Sequence, residues 1–359
     1  MVPAERRIIG FDGLRAVAFL MVFASHKAPS PRTEALGSAG VWLFFVLSGF
    51  LIVRILAAAR GRIEAGAATP MDSLLAFYRN RLARIVPVYY VFLFVLYTTR
   101  LGGPLNLGDD AFKLSTWLYL TNVYIERNGW GTELGHLWSL AVEQQFYLLF
   151  APAALFLPRR RLGALCGALV GASVLMHVAL WSAGAWPVSF DVDTVANLGL
   201  IALGGLAGLR TQPLPGWLRG DAALLGALAL FLALPLLAGE TGRWLILGRL
   251  SGILAALVLL QIVQSPGNRI VALLDTAWLR RIGVISYAAY LFHVPLHAEQ
   301  VLAAVGLHLA GPRSVTLALD LALTLLLAEA SWRLLESPAR RILRSPPRAA
   351  RRPALIHPL

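Results

Sequence analysis

Long apolar segments recur along the whole sequence, separated by short polar connections. Each approaches the ~20 residues that a helix needs to cross a bilayer. Ten such segments lie at about 8–28, 38–57, 84–101, 136–157, 162–182, 192–209, 221–238, 244–264, 282–304 and 314–337. The shorter apolar stretch FKLSTWLYLTNVY, after the third segment, predicts an outer-surface or re-entrant helix. The pattern therefore predicts an all-α, polytopic transmembrane bundle of about ten spans.

Composition supports the membrane interpretation. The chain is 58% hydrophobic and 14% charged, with a mean hydropathy of +0.68, outside the averages of soluble globular proteins. The first apolar segment has no small-residue cleavage site after it and carries charge inside it, so we expect a span and not a signal peptide. The single cysteine, Cys166, lies in an apolar segment and cannot form an intramolecular disulfide.

The distribution of positive charge predicts the orientation. With the N-terminus in the cytoplasm, ten spans place most of the 32 lysines and arginines on the cytoplasmic side, as the positive-inside rule requires. The net charge of +13 then indicates topology and contact with membrane lipids. Nucleic-acid binding explains it poorly, because the charge is divided among short loops without interleaved aromatic residues.

We expect two parts along the chain, with both termini cytoplasmic. Residues 1–340 would form the transmembrane domain, without an appended soluble domain. Residues 341–359 are basic and rich in proline, which is typical of a disordered tail at the inner surface.

The first predicted span carries an arginine and a histidine on one face. Arg15 and His26 are eleven residues apart, so a helix places them within about 20° of one direction and roughly 16 Å apart along its axis. Ionisable side chains are costly in a bilayer and mark polar paths through it. The same argument makes Glu143 a functional candidate. His136 precedes it by two turns, and Ser139 lies on the same side of the helix.

Three further motifs each allow two interpretations. Ser48 and Gly49 lie mid-span, where small residues permit close helix contact, so Ser48 could be structural. His293, three residues after Tyr290, could be a helix-packing hydrogen bonder or a functional group. The third motif is a basic cluster just before the predicted third span, formed by Arg79, Arg81 and Arg84. These arginines fit either positive-inside anchoring or the binding of a phosphate by guanidinium groups.

These motifs together resemble a known family. In chain order, RIIGFDGLRAVAFLMVFASH, GVWLFFVLSGFLI, FYRNRLARIVPVYY, HLWSLAVEQQFYLL and ISYAAYLFHVPL are similar to the integral-membrane acyltransferase family 3. Members O-acylate bacterial surface and exported glycans, nodulation factors and macrolides. Many carry a C-terminal esterase-like domain, which we do not expect here. Relatives often have an arginine near the start of the sixth span, where the nearest polar residue of this chain is Asn197.

The resemblance implies roles for individual residues. His26 would be catalytic, with Arg15 and Glu143 completing the catalytic set. The basic cluster of Arg79, Arg81 and Arg84 would bind the phosphates of the acyl donor, which would be acetyl-CoA or another acyl-CoA. No metal is expected. The residues expected to contact substrate or support the site are Asp12, Ser48, His136, Trp138, Ser139, Tyr290 and His293.

The predicted function is O-acyl transfer in the bacterial inner membrane, most simply O-acetylation. The acceptor would be a hydroxyl of a carbohydrate or glycolipid. His26 would deprotonate that hydroxyl or take the acyl group itself, because imidazole titrates near neutrality. Glu143 would orient the ring or the acceptor. The alternative is a proton-coupled exporter or flippase of a lipid-linked sugar, which would use the same ionisable groups as a relay.

Overall fold

The computed structural model describes residues 7–98, 105–184, 191–237, 248–304, 306–307 and 311–343, and the regular structure in these ranges is helix, without strands. The α-helices are α1 (Phe11–Lys27), α2 (Pro31–Glu64), α3 (Pro70–Thr98), α4 (Asp110–Trp117), α5 (Thr121–Asn128), α6 (Trp138–Phe156), α7 (Leu162–Ser182), α8 (Thr194–Leu209), α9 (Asp221–Leu237), α10 (Gly248–Gln264), α11 (Arg269–Leu274), α12 (Ala277–Phe292), α13 (Ala298–Ala304), α14 (Arg313–Ser331) and α15 (Ser337–Leu343). A π-helical turn, Trp332–Glu336, joins α14 to α15.

Four helical stretches are long and apolar enough to cross a bilayer by length and composition: Pro31–Glu64, Pro70–Thr98, Arg159–Ser182 and Arg313–Leu343. The apolar helices α8, α9 and α10 are 16 or 17 residues long, somewhat shorter than the ~20 residues of a typical span. A chain with several such helices is a multi-pass membrane protein. The total of ten spans and the side on which each terminus lies stay predictions.

All ten predicted segments overlap an α-helix, but some of the boundaries are wrong. Segment 282–304 is not one helix: α12 ends at Phe292 and α13 begins at Ala298. Pro295 lies in the break, and proline has no amide hydrogen with which to continue a helical ladder. The predicted helix in FKLSTWLYLTNVY is also wrong, because α4 and α5 are separate helices. Tyr119 lies between them with a φ of 55°, a left-handed conformation that interrupts a helix.

The third helix begins much earlier than hydropathy predicts. The Thr69 hydroxyl accepts a hydrogen bond from the Asp72 amide at 3.1 Å and Pro70 occupies the first helical position, which is a standard start signal. The basic cluster therefore lies inside α3 and not before it. At the other end of the chain, α15 continues to Leu343, so the first residues of the predicted tail are helical. The remainder, 344–359, lies outside the described residues.

Glycines allow the central helices to approach closely. A Cβ atom on Gly49 of α2 would lie 1.7 Å from the Ile201 carbonyl oxygen of α8, and one on Gly204 would lie 2.0 Å from the Val46 oxygen. Both distances are far below van der Waals contact, so only glycine fits. The predicted close helix contact at Gly49 is confirmed.

The first helix is held in a similar way. A Cβ atom on Gly283 of α12 would lie 1.8 Å from the Asp12 carbonyl oxygen, and one on Gly13 would lie 2.0 Å from the Leu274 oxygen. These contacts bring α1 against α12 and the end of α11. His26 lies near the C-terminal end of α1 and His293 directly follows α12, so the packed pair of helices carries both histidines.

Candidate active site

A cavity of about 810 Å³, including its opening, lies among α1, α2, α3, α6 and α12. Its apolar walls come mainly from α2. Polar side chains from all five helices line it: Arg15, Ser48, Arg81, Arg84, Ser139, Glu143, Tyr147, Ser286, Tyr287 and Tyr290. Seven of these side chains were singled out from sequence; the structure brings them to one space although they lie far apart in the chain.

Glu143 is held on one side of this cavity by two hydroxyl groups. Its Oε1 atom accepts hydrogen bonds from the hydroxyls of Ser48 and Tyr147, which lie 2.7 Å from each other. Ser48 therefore has a polar role beside the packing role of its neighbour Gly49. Tyr147 was not identified from the sequence, although it follows Glu143 by one helical turn and so had to share its face. No hydrogen bond joins Glu143 to a histidine in the described part of the chain.

Tyr290 connects the cavity to a group of three histidines. Its hydroxyl lies 2.6 Å from Ser139 Oγ and donates to the His136 carbonyl oxygen at 3.1 Å. The ring centroid of His136 is 5.2 Å from that of His293 and 6.3 Å from that of His26. The His26 and His293 centroids are 5.0 Å apart. The three rings thus form one cluster. His26 comes from α1, His293 from the end of α12 and His136 from the turn before α6.

Hydrogen bonds in the cluster determine which ring nitrogens carry hydrogen. His293 Nδ1 lies 2.8 Å from the Tyr290 carbonyl oxygen, which can only accept, so this nitrogen is the donor and Nε2 of the neutral ring is an acceptor. That Nε2 faces His26 Nδ1 at 3.3 Å, and His26 Nδ1 also lies 3.0 Å from the Val22 carbonyl oxygen. Both neighbours require a donor at His26 Nδ1. The neutral ring of His26 therefore has its lone pair on Nε2, which has no hydrogen-bond partner among the residues that the structure describes.

The three histidines differ in access. His136 and His293 are buried, with 4% and 0% of their surface exposed, whereas His26 is exposed. His26 is thus the ring that a substrate can reach. Among the described residues, no group of three or more His, Cys, Asp or Glu side chains is arranged to hold a metal ion.

A buried lysine fixes the end of α1 beside this cluster. Lys27 Nζ donates to the Leu296 carbonyl oxygen at 2.6 Å and lies 3.5 Å from Asp320 Oδ2 of α14. The Asp320 carboxylate in turn accepts from the Ala298 amide at 2.6 Å. These contacts hold the broken segment after His293 against α1. The sequence does not indicate the pairing of Lys27 with Asp320, because the two residues are far apart in the chain.

The basic cluster of α3 divides between two faces. Arg81 and Arg84 line the cavity, whereas Arg79 is exposed and does not. Three residues apart, Arg81 and Arg84 share a helix face, and Arg79 is about 200° from Arg81 around the axis. Arg15 lies at the same cavity, 3.3 Å from Asp12 Oδ1. Three guanidinium groups therefore line one chamber with Glu143.

Two other predicted residues have packing or capping contacts. Trp138 packs edge-to-face on Phe45, with centroids 5.9 Å apart, and is not part of the cavity wall. The Asn197 amide donates to the carbonyl oxygens of Asp191 and Asp193, at 2.7 and 2.9 Å, and so secures the start of α8.

An arginine does contact the start of α8, but it belongs to a different helix, α10. Arg249 of α10 donates to the Ala196 carbonyl oxygen at 2.7 Å and lies 2.6 Å from His177 Nδ1 of α7. It joins α10 to α7 and α8 at a distance from the cavity. The sequence alone did not indicate this contact, because the three helices are far apart in the chain.

The fold and the site define a multi-pass membrane protein with an internal polar cavity and an exposed histidine in a cluster beside it. Residues 8–307 match the family model Acyl_transf_3, described as "Acyltransferase domain". This match covers most of the chain. The chain belongs to this acyltransferase family, as the sequence motifs predict.

Curated relatives extend the comparison. The chain is 29% identical over 357 residues to O-acetyltransferase OatA of Staphylococcus aureus, covering 92% of this chain and 57% of that protein. It is 30% identical over 354 residues to the putative peptidoglycan O-acetyltransferase YrhL of Bacillus subtilis, covering 91% and 54%. Peptidoglycan O-acetyltransferase OatA of Listeria monocytogenes is similar at 29% identity, with 92% and 55% covered. The chain thus spans just over half the length of these relatives. No solved structure gives a significant match.

Proposed function

We propose that this protein is a membrane-embedded O-acyltransferase, most simply an O-acetyltransferase, of the bacterial inner membrane. It transfers an acyl group from cytosolic acyl-CoA to a hydroxyl of a surface or exported glycan. The observation that carries the proposal is the exposed His26, whose Nδ1 faces His293, in a histidine cluster that Tyr290 joins to a cavity with three arginines. Family membership supports the reaction class. The names of the relatives make peptidoglycan the first acceptor to test.

The arginine end of the cavity suits the donor. Arg15, Arg81 and Arg84 present planar guanidinium groups, which bind phosphate oxygens in a bidentate manner. The acyl end of the donor has to reach His26 from there, a distance comparable with the roughly 16 Å that separates Arg15 from His26 along α1. Arg79 has no direct contact with the donor in this proposal, because it lies outside the cavity.

The chemistry assigns His26 Nε2 to proton or acyl transfer. Overall, the thioester carbon–sulfur bond breaks, an oxygen ester forms on the acceptor, and the hydroxyl proton ends on the thiol of CoA. His26 either deprotonates the hydroxyl or carries the acyl group, and both roles need an unprotonated Nε2. Glu143, fixed by Ser48 and Tyr147, is placed to accept a hydrogen bond from a hydroxyl in the cavity.

Acyl transfer by the purified protein tests this function. With radiolabelled acetyl-CoA and peptidoglycan fragments, the wild type should form an O-acetyl ester. His26→Gln should lose about 10²- to 10⁴-fold of the rate, the usual contribution of a general base. Thermal melting should be unchanged, because the exposed ring contributes little packing. Retention of near wild-type turnover would remove His26 from the mechanism. Movement of a lipid-linked sugar without acyl transfer would favour an exporter.

A further inference from the structure

A second cavity lies between the interior of α2 and the C-terminal end of α8, and it shares no lining residue with the first. It encloses about 710 Å³, including its open mouth. Its apolar lining includes Phe50, Leu260 and Val263, and its polar lining includes Thr211 and Gln264. Its charged lining consists of three arginines from separate parts of the chain: Arg54, Arg210 and Arg219. Among the described residues, no acidic side chain lines this space.

The walls of this cavity are fixed by α10. Gln264 Oε1 accepts from the Leu214 amide at 2.7 Å, and Gln261 Nε2 donates to the Leu218 carbonyl oxygen at 2.7 Å. These two contacts hold the segment after α8, which carries Arg210 and Arg219, against α10. On α2, Arg54 is two residues beyond Ile52 of the first cavity, so a rotation of about 200° directs it to the other side of the helix.

The three arginines are distinguished by the space that they share. In the described ranges, none of the three has an ion pair within 4.0 Å. Carboxylate partners occur for Arg7, Arg60, Arg269, Arg281, Arg333 and Arg340. The exposed Arg62, Arg160 and Arg161 have no such partner among the described residues either, but they do not line a common cavity. Simple positive-inside anchors need no shared cavity. Three like charges around one space repel each other unless an anion lies between them.

We propose that the cavity lined by Arg54, Arg210 and Arg219 binds a phosphate ester, separately from the catalytic chamber. A phosphate ester offsets part of the local charge, one unit as a diester and up to two as a monoester, and its oxygens match the donor forks of guanidinium groups. The apolar wall of Phe50, Leu260 and Val263 accommodates the organic part of the ligand. The same chemistry is present in the headgroup of an anionic phospholipid and in a soluble nucleotide.

Binding measurements on purified protein in phosphatidylcholine nanodiscs test the proposal. One arm adds phosphatidylglycerol to the nanodisc, and the other adds adenosine 3′,5′-bisphosphate to the solution. The affected variant is Arg54→Gln/Arg210→Gln/Arg219→Gln. The matched control, Arg62→Gln/Arg160→Gln/Arg161→Gln, removes three exposed charges that do not line the cavity. Native mass spectrometry and thermal melting measure occupancy and stabilisation.

We expect wild type and control to bind one more phosphate ester than the cavity variant, because the arginines of the first cavity are unchanged in all three proteins and the second cavity of the variant should bind at least tenfold more weakly. Saturation by phosphatidylglycerol alone identifies a lipid site, and saturation by the bisphosphate alone identifies a nucleotide site. Equal weakening in the control and the cavity variant would overturn the proposal, because charge alone would then explain binding. So would the absence of binding of either probe to the wild type. All three proteins should elute identically on size exclusion, since the replaced side chains are exposed.

Discussion

At the residue scale, the candidate reactivity of His26 depends on a second histidine. A neutral imidazole can carry its hydrogen on either nitrogen, and only one of these tautomers leaves Nε2 free. The Val22 carbonyl oxygen and His293 Nε2 both select hydrogen on Nδ1 of His26. His293 is itself fixed by the Tyr290 carbonyl oxygen. His293 is therefore a positioning residue in the proposed mechanism, buried behind the ring that meets substrate.

Replacing His293 should impair the chemical step more than substrate binding. His293→Ala removes the acceptor that faces His26 Nδ1 and leaves a void beside Phe19 and Phe23, so kcat should fall while both KM values change little. His293→Gln, whose amide oxygen can accept from His26 Nδ1, should recover part of kcat. Steady-state kinetics with acetyl-CoA, together with thermal melting of each variant, measure this effect.

The partial recovery separates positioning from simple packing. If His293 only fills space, His293→Met should recover kcat as well as His293→Gln does, since both restore volume. Recovery by methionine and not by glutamine would refute the positioning role.

At the scale of the element, the arginines of α3 lie on two faces of the helix. Arg81 and Arg84 line the cavity and are proposed to bind the donor, whereas Arg79 lies outside it. Arg81→Gln/Arg84→Gln should raise the KM for acyl-CoA by roughly tenfold or more, because a hydrogen bond to a charged group contributes ~1.5–3 kcal/mol. The acceptor KM should change little. Added salt should reduce the difference, because it screens the interaction with phosphate. Initial rates at varied donor and acceptor concentrations measure both constants.

Arg79→Gln is the matched control on the same helix. It removes one positive charge, against two in the double variant, from a position outside the cavity, so its donor KM should stay near the wild-type value. An equal rise in both variants would assign the whole cluster to general attraction of anions. An unchanged donor KM in the double variant would leave these arginines as topology anchors.

The helix contacts make a separate prediction about stability. Gly49→Ala places a methyl group 1.7 Å from the Ile201 carbonyl oxygen and forces α2 and α8 apart. Overpacking of this kind costs ~1–3 kcal/mol, so the Tm in detergent should fall clearly. Gly171→Ala on α7 is the control, because a Cβ atom there has no neighbour within 4 Å. An unchanged Tm for Gly49→Ala would show that the close contact is dispensable.

Helix positions were predictable from sequence to different degrees. Hydropathy locates all ten long segments, since burying about 20 apolar residues in lipid leaves a strong signal. It misplaces the start of α3, because Thr69 and Pro70 begin a helix in a polar region that hydropathy scores as a loop. It also misses the break after Phe292, although Pro295 is a visible breaker within the apolar run.

The sequence predicts which residues belong to the candidate site, but it does not predict the contacts that join them. Single-helix geometry gives the shared face of Arg15 and His26, and the position of Glu143 in a span. The link from Ser139 through Tyr290 to the histidines joins α6 to α12, about 150 residues apart in the chain. Likewise, no local pattern pairs Lys27 with Asp320. Such contacts depend on tertiary packing, which a single sequence does not specify by periodicity.

At the scale of the whole molecule, the proposed reaction requires transfer across the thickness of the bilayer. Arg15 and the arginines of α3 line the cavity, and His26 lies at the far end of α1, beside the turn that precedes α6. If the donor enters at the arginine end from the cytosol, the acceptor meets His26 at the outer leaflet. The segment with α4 and α5 then lies outside, and the α2–α3 and α6–α7 connections lie inside.

Cysteine labelling of intact cells tests this arrangement. In a Cys166→Ser background, single cysteines at the exposed positions Asp110 and Asn128 should react with a membrane-impermeant maleimide. Cysteines at the exposed positions Arg62 and Arg160 should react only after permeabilisation, because the positive-inside rule places these arginines in the cytoplasm. Each variant must retain acyl transfer, so that labelling reports the native fold. The opposite pattern would put His26 on the cytosolic side and require acylation at the inner surface, with no transfer across the bilayer.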